Sequence, residues 1–575
     1  MTTPTETVDT EPTDGPVLTP VLGYRWALKL SHLGVTLLFG LLLLFLNILP
    51  LRGTDVWGHV HYGRWIMAHR ALPTEDPIQP LAQGMQVIDT AWLSQVVLAE
   101  VERLGGGMGL SNLFAVVVWG TYFLLARVFL RQSRSLLVMT LGTLLAIGVG
   151  WSRLATIRPE IFSLLCLAVL LWLLARREVW SLPGDNIDPA AEPAAVTPGL
   201  LNWIAIPVLF AVWVNLHGTF VGGIVVLVGY ALGRGIDVLL NTKSVLAMLA
   251  DRAFQAWVLL AEVAIAATLV NPYGIDLWFE VVRFSSNPVL SDITEWAPMV
   301  MTAVGGREFV IGIVALMFVL RLSQRRMPAR ETLLLLSFGL LALAQVRMIG
   351  WFAPVLAFVV VPHLANILWR WWPAQIDEAA LAATLPPGEM PPGRSFRYTL
   401  VCATVAWVFF AMSGVGGLVL GQTKRSDKSL FGDVPLGLTE YLAKHSVTGQ
   451  IYNPQWWGDW LAVKGPAGLK PFVTTNMHLV PKQVWNDYRR ISSADGPFDI
   501  TLDRYAVSKV IVDKELQPML AAAMPRQTAW VLEYEDDQAA LYRRAARNAE
   551  QTKRPESAVN ADQNQAKAAD AKAAP

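Results

Sequence analysis

The chain carries about eleven apolar runs, each near the length of about 20 residues that a helix needs to cross a bilayer, and this repetition constrains the fold most. The runs lie at roughly 31–51, 108–130, 135–151, 159–175, 200–216, 219–239, 255–271, 308–323, 331–347, 350–369 and 399–421. In hydrocarbon every backbone N–H and C=O must be satisfied within the segment, which leaves the helix as the spanning element for runs of this kind. A polytopic α-helical membrane protein is therefore predicted. Composition agrees: 54% of residues are hydrophobic and 16% are charged, against about 25% charged in soluble domains. A formal net charge of +1 supplies no global field for nucleic acid, and no nucleic-acid partner is expected.

Lysine and arginine set the orientation. Arg25 and Lys29 precede the first run, and Arg131 with Arg134 follow the second. Arg176 and Arg177 come next, then Arg234, Lys243 and Arg252. Arg321, Arg325, Arg326 and Arg330 form a further group, and Arg370, Arg394 and Arg397 the last. These groups fall in alternate loops, so one register explains them all. It puts a cytoplasmic N-terminus on a multi-pass cell-membrane protein and the C-terminal part outside. Residues 1–24 and 549–575 read as disordered tails, the first without the basic region of a signal peptide. The transmembrane domain is expected over 25–421, with an outer loop at 52–107, and an extracytoplasmic α/β domain over 422–548. In that domain Ile451–Tyr452, Pro471–Thr474, Val507–Val512, Val531–Tyr534 and Ala539–Tyr542 read as strands, with helical stretches between. Cys166 and Cys402 sit in apolar runs and support neither a disulfide nor a metal knuckle.

The unusual polar chemistry gathers on the outer side. The first loop contains Asp55, Trp57, His59 and His61, then Glu75 and Asp76, then Asp89, Trp92 and Gln95. Segments 59–70 and 90–104 read as amphipathic helices lying in the interface. Arg153, Arg158 and Glu160 separate the third and fourth runs. Asn215 and His217 follow the fifth, Asn271-Pro-Tyr-Gly274 ends the seventh, and Glu295 with Trp296 come after it. Arg347 lies in a very short turn. The bland reading of such arginines is a side chain snorkelling to headgroups. Arg347 has little loop to escape into, and a cation held near the membrane usually has a partner or a function. Acids here could act as general bases and arginines could grip a phosphate, which suggests an amphiphilic substrate with an anionic head. His59 and His61 with Asp55 could bind a metal, but two histidines at that spacing are common by chance and no metal ligand is assigned. The Asp- and His-bearing loops leave room for a divalent cation without requiring one. The Gly105–Gly107 stretch lacks a Walker lysine and a flanking strand, so no nucleotide site is read.

Taken in order, Asp55-Val-Trp57-Gly-His59, Gly63-Arg64-Trp65-Ile66, Thr74-Glu75-Asp76-Pro77 and Trp92-Leu93-Ser94-Gln95 resemble the first outer loop of GT-C-type membrane glycosyltransferases. More closely, they look like a bacterial branch with Asp-x-Trp-x-His, then Asp-Pro, then Trp-Leu-Ser/Gln. Asn215-Leu-His217-Gly218, Asn271-Pro-Tyr-Gly274, Glu295-Trp296-x-Pro298, Gly449-Gln-Ile-Tyr-Asn453 and Trp457-Gly458-Asp459-Trp460-Leu461 are similar to that branch too. The resemblance implies transfer of a sugar from a polyprenyl-phosphate carrier to a lipid, glycan or protein acceptor on the outer side. It implies Asp55 as the base, with Asp76 or Glu75 as a second acid. Arg347, with Arg158 or Arg153, would hold the departing lipid phosphate. Trp57, His59, His61, His217 and Glu295 are further candidates for substrate contact. Two departures stand out. In Trp456-Trp457-Gly458-Asp459 the acid is displaced by one position from the Trp-Trp-Asp of oligosaccharyltransferases, so no sequon binding is inferred. Thr474-Thr475-Asn476-Met477-His478 replaces an Asp-Gly-Arg-like turn. The competing readings are a non-catalytic scaffold or partner for polysaccharide assembly or export, and a secondary transporter. Transporters tend to show repeats and midplane ionisable groups, and neither feature is read here.

Overall fold

The computed structural model describes residues 26–50, 55–154, 156–176, 197–287, 289–290, 294–372, 393–421, 431–432, 434–445 and 447–545. The predicted tails at 1–24 and 549–575 lie outside the described residues. The chain forms two compact units, Met1–Pro77 with Gly84–Val434, and Ile78–Gln83 with Pro435–Pro575.

The first unit is helical. Its helices are α1 (Ser31–Ile48), α2 (Asp55–His69), α3 (Trp92–Ser133), α4 (Leu136–Val149), α5 (Glu160–Ala175), α6 (Leu200–Leu216), α7 (Phe220–Thr242), α8 (Val245–Ala250), α9 (Arg252–Ala267), α10 (Asp276–Ser285), α11 (Gly306–Leu322), α12 (Ala329–Ala344), α13 (Ile349–Trp371), α14 (Phe396–Met412) and α15 (Gly414–Val419). Each of the apolar runs falls on one of these helices except the last, 399–421, which is divided between α14 and α15. By length and composition α1, α3, α7 and the stretch Val346–Trp371 suffice to cross a membrane, while α4, α5, α6 and α14 are shorter apolar helices. The core helix is α13, buried on nearly every side against α3, α4, α11 and α12. The outer helices instead present apolar stripes at helical spacing: Ile204 and Val208 on α6, Ile311, Val314 and Phe318 on α11, Leu336 and Leu340 on α12. Such broad exposed apolar faces are foreign to a water-soluble monomer and suit lipid.

Several polar groups inside this unit find partners. Gln132 donates to the Phe358 carbonyl at 3.1 Å, and Trp213 Nε1 to Ser163 Oγ at 2.8 Å. His363, read as a satisfied bundle residue, has Nδ1 3.0 Å from Ser323 Oγ and Nε2 3.0 Å from Arg325, which also grips Glu331 through both nitrogens. Helix α3 breaks at Gly106, whose φ of 58° and ψ of −150° are open to glycine alone. The helix expected over 90–104 and the run at 108–130 are thus two halves of one broken helix.

The second unit holds a five-stranded sheet of β1 (Gly449–Tyr452), β2 (Leu469–Pro471), β3 (Lys509–Asp513), β4 (Trp530–Glu535) and β5 (Ala539–Arg544), in the order β2-β1-β3-β5-β4. β1 runs parallel to β2 and β3, and β5 pairs antiparallel with β3 and β4. Val510, Ile511 and Val512 are buried on both faces, as a central strand requires. The helix Lys482–Ser492 turns Val484, Tyr488 and Ile491 inward at spacings of four and three. The strand expected over 471–474 lies earlier, at Leu469–Pro471. Beyond it the Asn453 side chain takes over the ladder, accepting from Phe472 N at 2.8 Å and donating to the Val473 carbonyl at 2.9 Å. Gln79 is buried in this unit, where it accepts from Thr474 N at 3.0 Å and donates to the Asn476 carbonyl at 3.2 Å. Asp459, the displaced acid of the Trp-Trp-Gly-Asp stretch, is fully buried and accepts from Thr475 N at 2.9 Å and Thr475 Oγ1 at 2.5 Å.

Candidate active site

The first unit draws charged side chains from four separate segments to one place. Asp55 opens α2 and Glu160 opens α5, positions where free backbone N–H groups favour a carboxylate. Arg153 ends a short 3-10 turn, Trp151–Arg153, and Arg158 precedes α5. Glu295 lies in the 3-10 turn Thr294–Trp296 and Arg347 in the turn Val346–Met348. Those two turns are tied by backbone bonds from Val346 N to the Ala297 carbonyl, 3.1 Å, and from Met299 N to the Leu343 carbonyl, 2.9 Å.

The side chains form a chain of alternating charge. Arg158 Nε lies 2.5 Å from Asp55 Oδ2, and Arg158 Nη1 donates to Glu295. Arg153 donates to the other oxygen of Glu295 at 2.8 Å and reaches Glu160 at 3.9 Å. Arg347 donates to Glu160 at 3.1 Å, and Trp351 Nε1 donates to the second Glu160 oxygen at 2.8 Å. The Arg347 guanidinium also lies 4.5 Å above the Trp296 ring, a cation–π contact. No member of the chain is more than 22% exposed at its side chain. Burial alone would raise the Glu295 carboxyl, yet Arg158, Arg153 and Arg347 hold it down to about 2. Asp55, Glu160 and Glu295 balance Arg153, Arg158 and Arg347 in formal charge. Among the described residues, however, Asp55 Oδ1, Arg158 Nε and Arg347 Nε are buried without a hydrogen-bond partner. Buried polar atoms left open in this way call for an explanation in ligand or function.

Two histidines flank the chain. His59 lies one helical turn from Asp55 on the same face of α2. Burial lowers it to about 4 against the pull of Asp55, with Arg158 adding to the lowering. His217 follows α6 and is also lowered to about 4, by burial first, with Glu160 opposing and Arg347 assisting. Thr219 N donates to His217 Nδ1 at 3.2 Å, so its proton sits on Nε2. A second polar line reaches His59 from the start of α3. Asp89 Oδ1 accepts from Ala91 N at 2.9 Å and from Gln95 Nε2 at 3.0 Å, and Gln95 Nε2 lies 3.4 Å from His59 Nδ1. Burial raises the Asp89 carboxyl to about 6, with the Ala91 and Gln95 bonds opposing.

Of the candidates read from sequence, Asp55, Arg153, Arg158, Glu295 and Arg347 meet directly, and His59 and His217 stand close enough to feel the chain's charges. Trp57 is buried in the core with its ring edge-on to Phe431 at 5.4 Å. His61 is partly exposed, and burial lowers it with help from Arg64. Asp76 is buried in the loop after α2, and Glu75 is exposed. Among the described residues no group of three His, Cys, Asp or Glu is placed to hold a metal ion. Sequence reasoning did not assign Glu160, Trp296, Trp351, Asp89 or Gln95 to the site. For Glu160 the signal was present: an acid one position inside an apolar run, two residues after an arginine.

No family model and no curated protein matches the sequence. Among solved structures, the chain is similar to that of ArnT from Cupriavidus metallidurans bound to undecaprenyl phosphate, at 13% identity and a TM-score of 0.47 over 89% of this chain and 97% of that one. It is also similar to the Archaeoglobus fulgidus oligosaccharyltransferase in complex with Zn and sulfate, at 12% identity and a TM-score of 0.43 over 89% of this chain and 73% of that one.

Proposed function

We propose that this protein is a membrane glycosyltransferase that moves a sugar from a polyprenyl-phosphate carrier to an acceptor on the extracytoplasmic face. The observation that carries this reading is a set of open atoms on one buried ionic chain, a carboxylate oxygen of Asp55 and a guanidinium nitrogen each of Arg158 and Arg347. A base and an anion hold are what the reaction needs. Asp55 Oδ1 accepts the proton of the acceptor hydroxyl as its oxygen attacks the anomeric carbon. The glycosidic bond to phosphate breaks, and the phosphate leaves with the electron pair. Arg347 Nε meets the departing oxygens, with Arg158 and Arg153 beside it, in a site where fixed cations act at low dielectric. Because the leaving group is already an anionic phosphate, no general acid is required. Asp76 or Glu75 supplies a second acidic group near the acceptor, and His217 contributes to the walls of the substrate path. About eleven helices cross the membrane, with the second unit outside.

The balanced charge of the chain favours a second reading, a scaffold whose ionic chain only ties helix ends together. Purified protein in a bilayer, given a panel of polyprenyl-phosphate sugars, separates the two. Wild type is expected to transfer sugar and Asp55→Asn to lose about 10²–10⁴-fold, as general-base removal usually does. Full transfer by a folded Asp55→Asn would reject Asp55 as the base, and an inert wild type across the panel would favour the scaffold.

A further inference from the structure

The line Asp89–Gln95–His59 has a directionality that its hydrogen bonds impose. The Gln95 side chain meets two groups, the Asp89 carboxylate and the His59 ring, through one atom, Nε2. Its amide could in principle sit either way round. Asp89 decides the matter. Asp89 Oδ1 is already an acceptor, because the Ala91 backbone N–H donates to it at 2.9 Å, and a backbone N–H cannot reverse its role. The group facing that oxygen must donate, so Gln95 presents its NH₂ and not its carbonyl. The second hydrogen of the same NH₂ then faces His59 Nδ1. That nitrogen can only accept, and in the neutral ring the proton is left on Nε2. Burial keeps the ring neutral. The result holds whether or not Asp89 carries a proton on Oδ2, since Oδ1 accepts in both cases.

The packing that brings Gln95 to His59 is equally specific. Gly63 lies one turn after His59 on α2, and a Cβ there would stand 2.1 Å from the Gln95 carbonyl oxygen and 2.7 Å from Ala99 Cβ. Only glycine lets α2 and α3 approach this closely. The resemblance motifs thus contain the parts of one device, His59 and Gly63 on α2 and Gln95 on α3.

We propose that Asp89 and Gln95 are positioning residues that lock His59 as its Nε2–H tautomer and so make it a hydrogen-bond donor one helical turn from the Asp55 base. Within the transfer reaction proposed above, on which this role depends, His59 Nε2–H donates to the acceptor hydroxyl oxygen while Asp55 takes its proton. It holds that oxygen in line and stabilises the negative charge that develops as the proton leaves. In the opposite tautomer Nε2 would present a lone pair to the same oxygen and compete with Asp55 for the proton.

The test reads the tautomer directly, apart from activity. Full-length protein with ¹⁵N-labelled histidine is purified in lipid nanodiscs, and the His59 ring nitrogens are assigned by their loss in His59→Gln. Wild type is expected to show a protonated Nε2 and a bare Nδ1. Gln95→Glu puts an acceptor oxygen against Nδ1, so the protonated and bare nitrogens should exchange places. Asp89→Asn can keep its Oδ1 acceptor and should retain the wild-type pattern, whereas Asp89→Leu should lose the fixed tautomer. Should Gln95→Glu fail to fold, the Asp89 pair decides alone. A wild-type ring protonated on Nδ1, or a pattern that Asp89→Leu leaves fixed and unchanged, overturns the lock. In the transfer assay, folded Gln95→Glu is expected to lose at least about 10-fold in kcat. A reversed tautomer with kcat within twofold of wild type would overturn the role in the reaction. An inert wild type would count against the transferase reading alone, because the nitrogen signals judge the lock without it.

Discussion

Arg158 holds one oxygen of Asp55 at 2.5 Å and leaves the other without a hydrogen bond. The same guanidinium donates to Glu295, so one cation fixes the orientation of one carboxylate and neutralises a second. Arg158→Ala should therefore strand the poorly solvated Asp55 carboxylate and leave Glu295 to Arg153 alone. Removing one partner from a buried pair costs about 3–5 kcal/mol. The variant should melt well below wild type in detergent, and Arg158→Ala with Asp55→Asn should recover part of the loss. A melting temperature unchanged by Arg158→Ala would show that the pair carries no stability.

Arg347 contributes a planar fork, one arm on Glu160 and its face on Trp296. Lysine keeps the charge but has neither the fork nor the stacking face. Arg347→Lys is expected to reduce kcat/KM for a polyprenyl-phosphate sugar by about 10-fold or more, and Arg347→Ala further, since a buried charge-assisted contact is worth about 1.5–3 kcal/mol. Equal kinetics for Arg347→Lys and wild type would remove Arg347 from the phosphate site.

Gly63 and Gly105 should respond oppositely to alanine. At Gly63 the new Cβ would overlap the Gln95 carbonyl, whereas at Gly105 it would meet nothing within 4 Å. Overpacking of this kind costs about 1–3 kcal/mol. Alanine in a helix where space allows is neutral or gains about 0.5–1 kcal/mol. Thermal melts of the two variants, run side by side, check this, and equal shifts would show that α2 and α3 do not meet at Gly63.

Asp89 and Glu295 should bend the stability profile in opposite directions. Burial raises Asp89 from 3.8 to about 6, so the folded state binds this proton more tightly than the unfolded state. Its contribution is greatest below pH 3.8 and is lost as pH rises to about 6. Arginines lower Glu295 from 4.5 to about 2 against its burial, so its contribution is present above pH 4.5 and is lost as pH falls towards 2. The melting temperature of Asp89→Asn relative to wild type should climb between pH 4 and 6. That of Glu295→Gln should climb as pH falls below 4.5. A flat difference in either window rejects the corresponding assignment.

The proposed topology predicts the fate of reporters fused after residue 545. Alkaline phosphatase should be active there and a cytoplasm-dependent fluorescent protein dark. The reverse pattern would place the second unit inside.

The helical architecture was legible in the sequence because apolar runs of near-bilayer length are a local property, and all of them are helical, the last divided between α14 and α15. Strand and helix periodicities in the C-terminal part were legible for the same reason, except at the end of β2, where the Asn453 side chain takes over the ladder at Phe472 and Val473. The residue types of the site were visible as well, since acids, arginines and histidines beside apolar runs stand out against their surroundings. What tertiary structure alone decided is which of them meet. Asp55 finds Arg158, Arg347 finds Glu160, and Glu295 joins Arg153 and Arg158 across loops far apart in the chain. Ion pairing is decided by helix packing, on which local sequence carries no information. The same holds for Gln95, whose ordinary amide becomes directional only because Gly63 lets two helices close to contact. The sequence by itself determined the elements and the chemistry available; their packing in space determined which charges are matched, and that Asp55, Arg158 and Arg347 each keep one atom open.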